Sequence, residues 1–210
     1  MARLSGLPML EISEKKSSLK LLRFAGVSGI LGSLLPLIMV LAATVLSSWF
    51  RWDTNALSEL GVGEESALFN SAALLGGALN FLFAIGLQQY LNGEKLVKTG
   101  VALIMVSSVC LTFVGIFTID YHLMHGVFAL GYFVLTPVGF IMISFGTKEK
   151  AIKKLSIACG ITALIAILVL PIIVLALPFR AGFAIPELVE ALVISAWTVF
   201  MSAKLIAHRN

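Results

Sequence analysis

The 210-residue chain is 59% hydrophobic and only 12% charged. A soluble domain carries about 25% charged residues, so this composition excludes a water-soluble globular fold and leaves apolar surface for lipid to cover. The net charge of +4 does not point to nucleic acid, because the basic residues are scattered between apolar runs and form no solvated patch.

Residues 1–23 read as a cytoplasmic amphipathic segment, with Lys15, Lys16, Lys20 and Arg23 approaching the first apolar run. The first ten residues lack the apolar core of a secretory signal, so the first span is expected to act as its own uncleaved insertion signal. Helix one is the uncharged run Phe24 to Phe50, with Pro36 in mid-span. A helix in lipid tolerates such a proline where a neighbour satisfies the freed carbonyl. The longest polar connection follows, from Arg51 to Glu65, and contains a short helix predicted to stop at Gly61 with Asp53, Thr54 or Asn55 as its cap. Trp49 and Trp52 suit the headgroup zone.

Helix two spans Ser66 to Tyr90 and carries Asn70 and Asn80, both read as partners for neighbouring helices. Helix three runs from Leu96 to Ile119, helix four from His122 to Phe145 with Pro137 inside it, and helix five from Leu155 to Leu177 with Pro171. Helix six needs about 20 residues to span, yet only 13 uncharged ones separate Glu190 from Lys204. It must therefore begin near Pro186 and take Glu187 and Glu190 into its first two turns. The expected fold is all-α: a polytopic protein of the cell membrane, with six transmembrane helices in one bundle over 24–206.

Thirteen of the fifteen lysines and arginines fall on one side of this topology, leaving only Arg51 and Arg180 on the other. The positive-inside rule then places both termini in the cytoplasm. Asp53, Glu59, Glu64, Glu65, Asp120, Glu187 and Glu190 gather at the opposite, extracytoplasmic end with His122 and His125. His122 and His125 are three residues apart, as are Glu187 and Glu190, so each pair shares a helix face. Ionisable groups near the hydrocarbon boundary face the bundle interior, because facing lipid is costly. Asp120 also reads as an N-cap for helix four, and Glu187 and Glu190 as partners of a helix dipole. Glu64 and Glu65 read as a solvated loop end. Cys110 and Cys159 read as buried thiols.

Carboxylates and imidazoles together suit a zinc-like divalent metal, with Asp120, His122, His125 and Glu187 as the ligand candidates and metal-assisted hydrolysis as the chemistry. Haem and nucleotide are not expected: the two boundary histidines are too close in sequence for opposite axial positions, and His208 belongs to the other membrane face.

Ser58-Glu59-Leu60-Gly61, followed by Phe69-Asn70, resembles the Ser-Asp-Leu-Gly and Phe-Asn signature of a prokaryotic membrane family catalogued as domain of unknown function 998. Gly115-Ile116-Phe117, His125 opening helix four, and Glu187 are also similar to that family. Glu59 replaces its usual Asp, Thr118 stands for a Pro, and Leu188 stands for an Arg. The resemblance covers residues 22 to 206 and implies six helices, with Ser58, Glu59, Asn70, His125 and Glu187 as site positions. Asp120, His122 and Glu190 join them as binding candidates from topology alone. The expected function is binding of a lipid headgroup or small polar molecule at the extracytoplasmic end. Proton- or cation-coupled transport and a non-catalytic scaffold are the alternatives. Membrane lipid, a second copy or another membrane protein would be its partners.

Overall fold

A computed structural model describes residues 7–169, 172 and 182–209, with side chains from Lys15 onward. Six helices in it are long and apolar enough to cross a bilayer. Helix α1, Leu7–Leu46, runs unbroken through Lys15, Lys16, Lys20 and Arg23. Those charges mark where hydrocarbon begins, not where the helix begins. At its other end α1 stops four residues short of the expected Phe50, and Trp49 and Phe50 join the connection.

Within that connection, Leu57–Gly61 forms a 3₁₀ turn. Helix α2, Ser66–Leu91, and helix α3, Lys95–Ile116, follow. The predicted third helix overran by three residues, because an uncharged run does not reveal the turn at Phe117 and Thr118. A second 3₁₀ turn, Ile119–Tyr121, enters helix α4, His122–Gly146. Helix α5 starts at Lys150, five residues before the expected Leu155, and passes at Leu164 into a π-helical turn, Ile165–Val169. Most of the remaining predicted fifth helix, with Pro171, and the connection holding Pro178 and Arg180 lie outside the described residues. Helix α6, Ala184–Ala207, contains Pro186, Glu187 and Glu190 in its first two turns as expected.

Each helix packs on the next in sequence, and α6 closes the ring against α1. Short connections impose this up-and-down order. Val45 and Leu123, 83% and 78% exposed, belong to the lipid-facing surface that the composition demanded. Inside the ring, small residues let backbones meet. A Cβ on either Gly100 or Gly139 would stand 2.7 Å from the other's carbonyl oxygen, so α3 and α4 touch through their main chains.

Pro36 lacks an N–H and frees the carbonyl four residues earlier, at Gly32. Asn80 on α2 donates its Nδ2 to that oxygen at 2.9 Å, and to its own helix at Gly76 over the same distance. The expected neighbour that satisfies the proline break is therefore Asn80. Cys110 and Cys159 are free thiols, the second buried.

The half of the bundle nearer the termini holds an aromatic core. Trp197 is fully buried, stacked on Phe140 with ring centroids 4.0 Å apart, and meets Phe83 edge-on at 6.3 Å. Leu22, Leu87, Val101, Ile143 and Leu205 complete this core. At the same end Lys204 pairs with Glu149, Gln89 reaches Ser18, and Tyr90 meets His208.

A roofed candidate site at the loop end

The connection between α1 and α2 folds inward over the other end of the bundle. Leu57 and Leu60 drive this, both buried against Ala43, Phe69, Ala73, Val114 and Ala184. The 3₁₀ turn is fastened by carboxylates rather than by the expected Asp53, Thr54 or Asn55 cap. Glu59 Oε1 accepts the Ala56 N–H at 3.1 Å, and its Oε2 accepts Asn55 Nδ2 at 2.5 Å. Glu187, 130 residues further along the chain, accepts the Leu57 N–H at 2.5 Å. Two backbone bonds run beside this latch, from Gly182 N–H to Asp53 O at 2.8 Å and from Ala184 N–H to Asn55 O at 3.0 Å. Asp53 itself is exposed and paired with Arg51, whose guanidinium hydrogen bond holds its carboxyl below the usual range.

Beneath this roof lies a cavity of about 130 Å³. Ser58, His125 and Glu187 line its upper end, and Asn80, Tyr132 and Ser195 its deeper part. Most of the remaining wall is apolar, including Leu37, Phe69, Leu111, Phe133 and Ile194. From Glu187 to Ser195 the cavity follows α6 for about 12 Å at 1.5 Å per residue. Ile194 belongs both to this wall and to the core around Trp197, so the aromatic cluster floors the bundle behind Ile194 without itself lining the cavity.

His125 is buried and its Nδ1 lies 2.8 Å from the Phe117 carbonyl oxygen. A carbonyl only accepts, so Nδ1 carries the proton and Nε2 is the free ring nitrogen. The bond also satisfies a carbonyl just past the C-terminal end of α3, where the helix itself offers no donor. Asn70 donates to Gly61 O at 3.0 Å and leaves its buried Oδ1 without a partner among the described residues. A Cβ at Gly61 would lie 2.9 Å from that oxygen, and one at Gly115 would lie 2.6 Å from the Asn70 carbonyl.

The residues of Ser58–Gly61, Phe69–Asn70, Gly115–Phe117, His125 and Glu187 thus form one contact network around the roof. The family model described as protein of unknown function DUF998 matches residues 30–204. The chain belongs to this family. No curated protein matches the chain. No solved structure matches it either.

In this DUF998 protein the expected metal set does not assemble. Asp120 on the turn before α4 and His122 at the first position of α4 are exposed, while His125 and Glu187 turn inward. Among the described residues, no three of His, Cys, Asp and Glu stand together as metal ligands. The physical reason is position along the helix axis. Three residues of separation place His122 one turn above His125, beyond the end of the packed bundle. Asp120 does not cap α4 either, since Tyr121 is the cap position and no side chain bonds there. Glu64 is exposed as expected, and Glu190 is buried one turn below Glu187.

Tyr132, Ser33 and Ser195, all of which line the cavity, were not singled out by the sequence. Tyr132 carried a usable signal, because a tyrosine in mid-span needs a polar environment for its hydroxyl.

Proposed function

We propose that this membrane protein binds a small, mainly apolar molecule bearing one polar group, held in the roofed cavity. The observation carrying this reading is the cavity itself, about 130 Å³ with polar groups at named places in an apolar wall. An engineered apolar cavity of roughly 150 Å³ takes benzene, so the space suits one ring or a short branched chain rather than a two-chain lipid. Ligand sites of this kind are mostly apolar, with a few polar groups that fix orientation. No hydrolytic step is assigned, because the expected metal ligands are not gathered.

A second reading, transport of the same molecule, is favoured by depth. Asn80 and Ser195 lie well inside their spans, where transporter sites sit. The floor of Phe83, Phe140 and Trp197 would then be the inner gate.

The reading places the roofed end outside the cell membrane, supported by the thirteen-to-two division of basic residues. A cysteine at the exposed position 64, in a Cys110→Ser, Cys159→Ser background, is expected to react with an impermeant maleimide on intact cells. Labelling only after lysis would reverse the orientation.

Ala191 lines the cavity, and Ala191→Phe is expected to fill it. Benzyl alcohol, a neutral probe of suitable size, should perturb the emission of Trp197 in the wild-type floor. The filled variant should lose that response at least tenfold, while the exposed pair Asp120→Ala with His122→Ala should keep it. Equal binding by the filled variant would remove the cavity from the account.

A further inference from the structure

Among the described residues, Glu190 is the one acidic group of the bundle interior that the latch does not use. It is fully buried on α6, and neither carboxylate oxygen has a hydrogen-bond partner among the described residues. Buried polar groups are ordinarily bonded, and each exception calls for an explanation. Glu190 stands one turn from Glu187 and within electrostatic reach of both Glu187 and Tyr132. Those two residues line the cavity, and among the described residues no lysine or arginine does. Glu187 spends Oε2 on the roof latch.

The cavity wall therefore carries the Glu187 carboxyl and the ring of Tyr132, with Phe133 beside that ring at a centroid separation of 5.2 Å, while Glu190 is sealed one turn below Glu187, behind the lining. A buried carboxylate without a counter-charge is costly inside a membrane protein. Carboxyl groups beside aromatic faces are the chemistry that recognises ammonium ions. Resting on the cavity reading above, we infer that the ligand is a small organic cation. Its positive end lies against Glu187 and Tyr132, with Glu190 acting through space from behind the lining, and its apolar part lies among the aliphatic and aromatic side chains of the wall.

Three isosteres separate this claim from the broader one: benzylamine as its ammonium ion, neutral benzyl alcohol and anionic benzoate. Full-length protein carrying Trp49→Phe and Trp52→Phe keeps Trp197 as its only tryptophan, directly under the cavity. Benzylamine is expected to bind at least tenfold tighter than benzyl alcohol, with benzoate weaker than both. Glu190→Gln keeps the side-chain shape and should bring benzylamine within about twofold of benzyl alcohol.

Benzyl alcohol binding as tightly as benzylamine to the wild-type cavity would overturn the cation and leave the cavity standing. A tenfold preference surviving in Glu190→Gln would overturn the role of Glu190. Binding by none of the three would end both proposals. The comparison of isosteres needs no variant at Glu190, so a misfolded Glu190→Gln protein would still leave the cation claim decided.

Discussion

Trp197→Ala is expected to cost about 3–5 kcal/mol of stability, the range for removing a large buried aromatic. The side chain is fully buried, stacked on Phe140 and edge-on to Phe83. Lipid is as apolar as this core, so transfer from water contributes little to holding the helices together. What the substitution removes is dispersion contact with atoms on three other helices, and it leaves a void the rigid ring cannot close. The indole Nε1–H also donates to Ser156 Oγ at 2.8 Å, and its loss orphans a buried hydroxyl at about 1 kcal/mol more. Trp197→Phe keeps most of the stacking and should cost about 1–2 kcal/mol, chiefly through that bond. Reversible unfolding in mixed micelles measures both. An alanine variant within 1 kcal/mol of wild type would mean that the floor is not packed as described.

Much of this architecture was legible before the structure, and the exceptions share a cause. Six spans follow from counting uncharged residues against bilayer thickness, and Glu187 and His125 follow from the cost of placing ionisable groups against lipid. Counting charges fails at helix ends. Lys15 to Arg23 continue α1 into water because charge does not break a helix, while Phe117 and Thr118 leave α3 although neither is charged. That break is tertiary, since His125 takes the Phe117 carbonyl.

The same limit applies to the site. A polar connection holding a short helix that ends at Gly61 is visible in sequence, but its inward fold depends on Leu57 and Leu60 finding Phe69 and Ala184. Asp120 and His122 offer the same carboxylate and imidazole chemistry as Glu187 and His125, and only their position past the last packed turn removes them. Ser33 and Ser195 look like any serine in an apolar run, so nothing local distinguishes them from serines that bond their own helix, such as Ser28 and Ser108. The family signature was informative in a different way. Its glycines and Asn70 assemble the roof, so resemblance located the site through the residues that build its cover.

Gly182→Val is expected to release that cover. At this position the incoming connection lies directly on the main chain of the first loop. A Cβ would overlap the Asn55 carbonyl oxygen and stand 2.5 Å from both Asn55 N and Thr54 C. These are backbone atoms, which cannot swing aside as the end of a flexible side chain can. The two strands of chain must therefore separate, breaking the bonds from Gly182 to Asp53 and from Ala184 to Asn55. The latch from Leu57 to Glu187 lies next to them and goes with them. Two neutral bonds at about 1 kcal/mol and one to a carboxylate at about 1.5–3 kcal/mol give a local loss of about 4 kcal/mol.

Helix packing around Trp197 is remote from this site, so global unfolding should change much less than the roof does. Limited proteolysis should cut residues 47–65 at least tenfold faster, and ligand binding should fall in parallel. Asp53→Ala, which removes only an exposed ion pair with Arg51, should leave both unchanged. Wild-type protection of the loop in Gly182→Val would show that the roof is held by its apolar contacts alone. Glu187 would then be freed for the ligand with both of its oxygens.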